Sequence, residues 1–432
     1  MSFSRFVLSA LALASLCATA QAAELVGYAS MPADTFAKGP TAGQFVSSAN
    51  GRTLPLVDKQ AVQGFSAVLP GPVAGTYRVM PDNGFGNKAN SPDAMLRTYT
   101  LQPNFRSWDG AALVGEGNVV PVNEKTGAVV AAFTDETFTA LKDPDGLIGF
   151  TKVADREFYP YSGSGPGAAN IPVPQKVRDG GYLTGSDLDI ESMRRDKNGY
   201  FWFGDEFGPF LVKTNKNGKV LRAAIPMAGV QSPDNPFLNG AQPTLNGSNG
   251  FEGMAINAAG DHLYTLLEGS VVGDTPKTLR INEFSVDDEA YTGRQWHYKL
   301  DDAGTNIGDM TAVNAHQFIV LERNGTQDPR FKRVFLIDLN VVDADGNVQK
   351  TEIADLMNLA DPHDLNQDSS QTFTFPWVTI EDVLVLDAST LLIINDNNYP
   401  GSSKTAGVPD ITEFLQVKLD QKLALKDKTP LN

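Results

Sequence analysis

The run Asp189-Ile190-Glu191-Ser192-Met193, then Lys197-Asn198-Gly199, then Tyr200-Phe201-Trp202-Phe203-Gly204-Asp205-Glu206, decides the fold. It reads as a short strand carrying an acid, a tight turn, and a strongly apolar strand that ends in acids. Asn-Gly is hairpin chemistry, because both residues tolerate positive φ. The same pattern recurs along the chain. Gly64-Phe65-Ser66-Ala67-Val68 precedes Tyr77-Arg78-Val79-Met80-Pro81-Asp82, and Gly250-Phe251-Glu252-Gly253-Met254 precedes Leu263 to Glu268. Ile307-Gly308-Asp309-Met310-Thr311 precedes Phe318 to Glu322, and Thr379-Ile380-Glu381-Asp382-Val383 precedes Leu391 to Asp396. Further strands follow at Leu279 to Val286, Arg294 to Leu300, Arg333 to Leu339 and Glu413 to Leu419. Three or four antiparallel strands per repeat, with little helical periodicity, predict an all-β propeller.

Spacing predicts the blade number. The first-strand markers Ser66, Glu191, Glu252, Asp309 and Glu381 are separated by 125, 61, 57 and 72 residues. The first interval is about twice the rest, so a degenerate blade is expected between residues 100 and 185. That makes a six-bladed propeller with long inter-strand loops. The strand from Glu24 to Ser30 is expected to complete the last blade and close the ring, leaving no open edge. The Ser-Gly-rich stretch from Tyr161 to Pro174 reads as a loop.

Around these repeats, composition narrows the function. The 432 residues carry 51 Asp+Glu against 35 Lys+Arg, a formal charge of -16, which argues against nucleic acid or an anionic membrane as the main partner. Met1 to Ala23 reads as a Sec-type signal: Arg5, an apolar run from Phe6 to Cys17, and a small-x-small site at Ala20-Gln21-Ala22. A periplasmic or secreted location follows, with 24–432 as one domain and no membrane span. The single Cys17 falls inside that signal, so the working protein has neither disulfide nor thiolate ligand.

The acids carry the chemistry. Inner strands of a propeller line its channel, so Glu191, Glu252, Asp309 and Glu381 are expected to converge. Asp82, Asp205, Glu206, Glu268, Glu322 and Asp396 end the second strands. Taken singly, each reads as a solvated turn residue; in a repeated register, the group calls for a cation or for bound protons. Oxygen ligands without Cys or His point to calcium. His262, His297, His316 and His363 show no metal-ligand spacing and read as surface residues. The chain has no Gly-x-Ser-x-Gly elbow, no Gly-x-x-x-x-Gly-Lys loop and no dinucleotide fingerprint. Lys88, Arg194, Arg195 and Arg323 are the basic candidates if the substrate is an anion.

Met80-Pro81-Asp82-Asn83-Gly84-Phe85-Gly86, Asp187 to Phe210, Asn249 to Met254, Ile307 to Thr311, Phe375 to Asp382 and Asn395 to Pro400, in this order, resemble the bacterial family described as having an esterase-like activity of phytase. The resemblance implies a secreted propeller and a hydrolase of esters. The motifs of the calcium-dependent propeller phytases and the Arg-His-Gly signature of histidine acid phosphatases are absent. Three readings stay open. The first is a calcium-dependent hydrolase of phosphate esters, with Glu191, Glu252, Asp309, Glu381, Asp82, Glu268, Glu322 and Asp396 around metal, Asp205 or Glu206 assisting water, and Arg323 on phosphate. The second is a calcium-dependent carboxylesterase or lactonase. The third is a binding propeller with structural calcium.

Overall fold

A computed structural model describes residues 22–46, 49–160, 170–401, 404–405 and 407–425. The leader expected at Met1 to Ala23 lies outside them, except for Ala22 and Ala23, as do residues 161–169 of the Ser-Gly-rich stretch. The described chain is almost wholly β; its α-helix is the short Gln175–Gly180. None of its helices is long and apolar enough to cross a membrane.

Five antiparallel sheets are arranged in a ring. The first runs Phe65–Pro70, Tyr77–Pro81, Arg97–Asn104 and Asn118–Pro121. The second runs Ile190–Arg195, Phe201–Asp205, Phe210–Thr214 and Ile225–Pro226. The third runs Gly253–Ile256, His262–Leu266, Thr278–Ser285 and Ala290–Lys299. The fourth runs Asn306–Ala312, Gln317–Arg323, Lys332–Val342 and Val348–Asp355. The fifth runs Asp382–Asp387, Thr390–Ile394 and Thr412–Lys418, and its fourth strand is the N-terminal Glu24–Met31. The expected closure by the N-terminal strand is therefore present, with Tyr28 opposite Leu415 and Ser30 opposite Glu413.

Each innermost strand touches the next, and the fifth, Asp382–Asp387, returns to the first, Phe65–Pro70. The cores agree with this count. Met80 and Leu69 pack on Ile190 and Phe203 between sheets one and two; Trp202 and Leu211 pack on Met254 and Phe284 between two and three. Tyr264 and Leu266 meet Met310 and Phe318; Ile319 and Leu321 meet Val383 and Ile393; Leu392 and Phe414 meet Phe65 and Val79. Each such large apolar side chain contributes roughly 1.5–3 kcal/mol when fully buried.

The sixth blade expected between residues 100 and 185 is not found among the described residues. That segment adds the small hairpin Ser107–Trp108 with Leu113–Val114, and two strands, Asn118–Pro121 and Phe138–Ala140, that both pair with Arg97–Asn104. It lengthens the outer part of the first sheet and supplies no channel strand. The ring already closes with five inner strands, so the doubled spacing marks an insertion.

Candidate metal centre

The inner strands place their acids through a repeated irregularity. Pairing slips between Phe65 and Ala67, between Ile190 and Ser192, and between Ile307 and Asp309. The extra residue in each bulge is Ser66, Glu191 and Gly308, and a bulge re-aims the side chain it carries. Glu252 and Glu381 immediately precede the equivalent strands Gly253–Ile256 and Asp382–Asp387. The channel layer is thus Ser66, Glu191, Glu252, Gly308 and Glu381. In the fourth sheet a glycine stands where the others carry a polar side chain. A Cβ on Gly308 would lie 1.8 Å from the Ile380 carbonyl oxygen, so the backbone of the fifth sheet excludes a side chain there.

Asp309, expected in the channel layer, is one residue out of register. A shift of one residue in a strand turns the side chain to the opposite direction. Asp309 instead accepts Arg194 Nη2 at 3.0 and 3.2 Å, Met310 N–H at 2.7 Å and Val383 N–H at 3.2 Å. Burial pushes it up to about 6, against the lowering by Arg194 and those amides. It is a structural ion pair between sheets. Asp382 holds the same register in the fifth sheet, fully buried, and neither of its carboxylate oxygens has a hydrogen-bond partner among the described residues. Burial, then Asp309 and Glu381, hold Asp382 well above the usual carboxylate range.

The second strands supply another layer. Asp82 N–H donates to Gly64 O, Glu206 N–H to Asp189 O and Glu268 N–H to Gly250 O, each at 2.9 Å. These repeated bonds give Asp82, Glu206 and Glu268 the same station. Asp396 follows the fifth sheet's second strand, Thr390–Ile394, and its Oδ1 lies near Gly64 beside Asp82 Oδ1. In the fourth sheet that station is held by Arg323, whose partner in the ladder is Asn306.

Asp205 and Glu322 sit one residue earlier and face elsewhere. Asp205 Oδ1 accepts Asp189 N–H at 2.8 Å and Oδ2 accepts Gly208 N–H at 2.7 Å, which fixes the corner before Pro209. Glu322 accepts Tyr298 Oη at 2.5 Å, Asp301 N–H at 2.6 Å and Lys350 Nζ at 2.7 Å, away from the centre. The expectation of Glu322 at the metal is therefore corrected: strand alternation gives the central position to Arg323.

Arg323 Nη2 spans Glu381 at 2.9 Å, Glu268 at 3.0 Å and Glu252 at 3.4 Å. Burial opposes its charge, but Glu381, Glu268 and Glu252 more than offset this and hold it protonated. Around it, Glu191, Glu206, Glu252, Asp82 and Asp396 are all pushed well above the usual carboxylate range, first by burial and then by neighbouring carboxylates, Asp189, Glu268 and Glu381 foremost. Burial also raises Glu268, to about 7, with Arg323 pulling the other way. Ser66 Oγ donates to Glu381 Oε2 at 3.2 Å.

Two trios of carboxylates bring one oxygen each within 4.8 Å of one another: Asp82, Asp189 and Glu191, and Glu206, Glu252 and Glu268. The second already has Arg323. The first has no ion-pair partner among the described residues. Asn83 Nδ2 orients it by donating to Asp189 Oδ1 at 2.7 Å. All six donors are hard oxygens, which suits calcium. The histidines take no part: His262 pairs with Asp261, His316 with Asp338, His297 with Gln295, and His363 stacks on Trp108. Two central features escape the sequence reading, the ligand geometry of Asp189 and the gap at Gly308. Aligning Ile307-Gly308 with Ile190-Glu191 is the signal that reveals the second.

An uncharacterized secreted protein of Arthroderma benhamiae is 27% identical over 282 residues, which is 58% of this chain and 49% of the relative. The chain thus spans about half the length of that curated protein. Among solved structures, a luciferin-regenerating enzyme is similar at 11% identity, covering 95% of this chain and 96% of its own, with TM-score 0.37. The catalytic domain of a GH62 α-L-arabinofuranosidase from Coprinopsis cinerea is similar at 10% identity, covering 89% and 98%, with TM-score 0.38. Residues 60–399 match the phytase-like family described as esterase-like activity of phytase, and the chain belongs to that family.

Proposed function

We propose that this chain is a secreted, calcium-dependent hydrolase of phosphate esters. The observation that carries the reading is the pair of carboxylate trios at repeated blade positions, buried apart from the half-buried Asp82, one of them with no cationic partner among the described residues. The family supports ester hydrolysis, and the relative described as a secreted protein supports export. Asp82, Asp189 and Glu191 would hold the ion, with Asp396 beside Asp82. When bound, calcium supplies charge neutralisation and polarisation of the ester. Glu206 fixes one oxygen on Gly250 N–H at 2.7 Å, and burial, then Glu268, raise its proton affinity well above the usual carboxylate range, which suits it to hold and pass on a proton. Asp205 positions Glu206 by anchoring the corner. Arg323 would turn from its carboxylates toward substrate phosphate.

One observation favours a second reading, hydrolysis of neutral carboxylic esters or lactones. Arg323 is already engaged by three carboxylates, so an anion must compete for it. Turnover of nitrophenyl phosphate, phytate, nitrophenyl acetate and a simple lactone, each with calcium and with chelator, separates the two. Phosphate turnover that chelator abolishes and Asp189→Asn removes is the expected result. Chelator-resistant turnover, or turnover of no phosphate ester, would sink the first reading.

A further inference from the structure

Beside the carboxylates lies a cleft of about 690 Å³ lined by Lys88, Phe150, Val153, Arg156, Asp234 and Phe237, among others. Its position ties it to the centre. Lys88 Nζ lies 4.7 Å over the ring of Phe207, the residue after Glu206. Ser186 and Asp187, which also line it, lead directly into Asp189. The floor is aromatic: Phe150 stacks on buried Phe210 at 6.2 Å, and Phe237 meets Phe210 edge-on at 5.9 Å. Phe237 is 42% exposed, an apolar ring turned to solvent at the mouth of the cleft. A planar group packed in the cleft would cover this ring.

The polar groups set the charge of that ligand. Asp187 is occupied by Val153 N–H at 2.7 Å and Thr184 N–H at 2.8 Å. Asp234 gives Lys88 Nζ its backbone carbonyl at 3.0 Å. Arg156 is exposed and has no carboxylate partner among the described residues. Lys88 is offset by Asp187 and the exposed Asp234 also lines the cleft, which leaves Arg156 as the unpaired cation beside the aromatic floor among the described residues, in a chain of net charge -16. That combination selects a planar apolar group with a negative charge, held by ring packing and by charge-assisted bonds.

We propose that this cleft binds the organic part of the ester, and that its ligands are small aromatic anions. The identity of the ligand as an ester rests on the hydrolase reading; the cleft itself does not. The test is calorimetric titration of 1-naphthylphosphonate, which cannot be hydrolysed as an ester, into the full chain in chelator. It should bind at least tenfold tighter than methylphosphonate. Phe237→Leu and Arg156→Gln should each weaken it about tenfold; Arg156 is exposed, so its variant should also leave the melting temperature unchanged. Equal affinity for the two phosphonates, or unaltered affinity in both variants, overturns the proposal. Tight naphthylphosphonate binding by a protein that turns over no ester upholds the cleft and overturns the hydrolase reading.

Discussion

At the residue scale, the centre is governed by which of two neighbouring side chains a strand turns inward. Arg323 enters and Glu322 leaves; Glu191 enters and Ser192 leaves. Arg323 is then the only base in two layers of acids, and its removal should be costly. Breaking a buried ion pair from one side leaves uncompensated charge and costs about 3–5 kcal/mol. Arg323→Met should destabilise the protein by that order in chelator. The same substitution frees the trio of Glu206, Glu252 and Glu268, so excess calcium should restore much of the loss and the bound calcium should rise from one to two per chain. Equilibrium dialysis with urea unfolding checks both, and unchanged stoichiometry would count against Arg323 as a built-in counter-ion. Asp309→Ala provides the contrast. It strands Arg194 and should cost about 3–5 kcal/mol, yet leave calcium affinity within twofold, because Asp309 faces away from the channel.

At the element scale, the bulge and the closing strand decide what was legible in the sequence. The apolar second strands, the Lys197-Asn198-Gly199 turn and the N-terminal closure are local patterns, and the structure bears them out. The propeller followed from them. The register of Asp309 was not legible, because Ile307-Gly308-Asp309 offers an acid one place late, and only the passage of Ile380 shows why Gly308 is empty-handed. The blade count failed for a related reason: a doubled spacing cannot distinguish a hidden blade from an insertion on an outer strand. The closing strand also makes a prediction. Glu24–Met31 covers the edge of Thr412–Lys418 and buries Leu25, Ala29 and Met31. Deleting residues 24–31 exposes that edge and an unfilled core. Size-exclusion chromatography should then show aggregates in place of the species formed by the intact chain. A truncated chain that elutes and melts like the intact protein would refute this role.

At the scale of the whole molecule, the buried charges set how stability depends on pH. Burial raises Asp93 and Asp187 to about 6 and Asp205 to about 7, against the lowering by backbone amides. A carboxyl whose folded pKa is raised binds its proton more tightly in the native state. Its contribution is fully present below the unfolded value near 3.8 and is lost as pH rises through the folded value. These acids therefore weaken the fold between about pH 4 and 7, and the carboxylates of the centre act in the same direction. Lys332 works on the other side. It is fully buried, donates to the carbonyls of Asn324 and Val378, and is lowered to about 6 by burial and then by Arg323 and Arg330. Its neutral form is the native one, so its penalty grows as pH falls from its ordinary value of 10.5 toward 6. In chelator, where the acids outnumber this lysine, scanning calorimetry should give a higher melting temperature at about pH 5 than at about pH 7.5. Calcium competes with protons for the same oxygens, so its stabilising effect should be small at the lower pH and large at the higher one. A calcium-free melting temperature that climbs from pH 5 to 7.5, or a calcium effect independent of pH, would mean that the central acids are ionised without a cation and that something other than metal balances them.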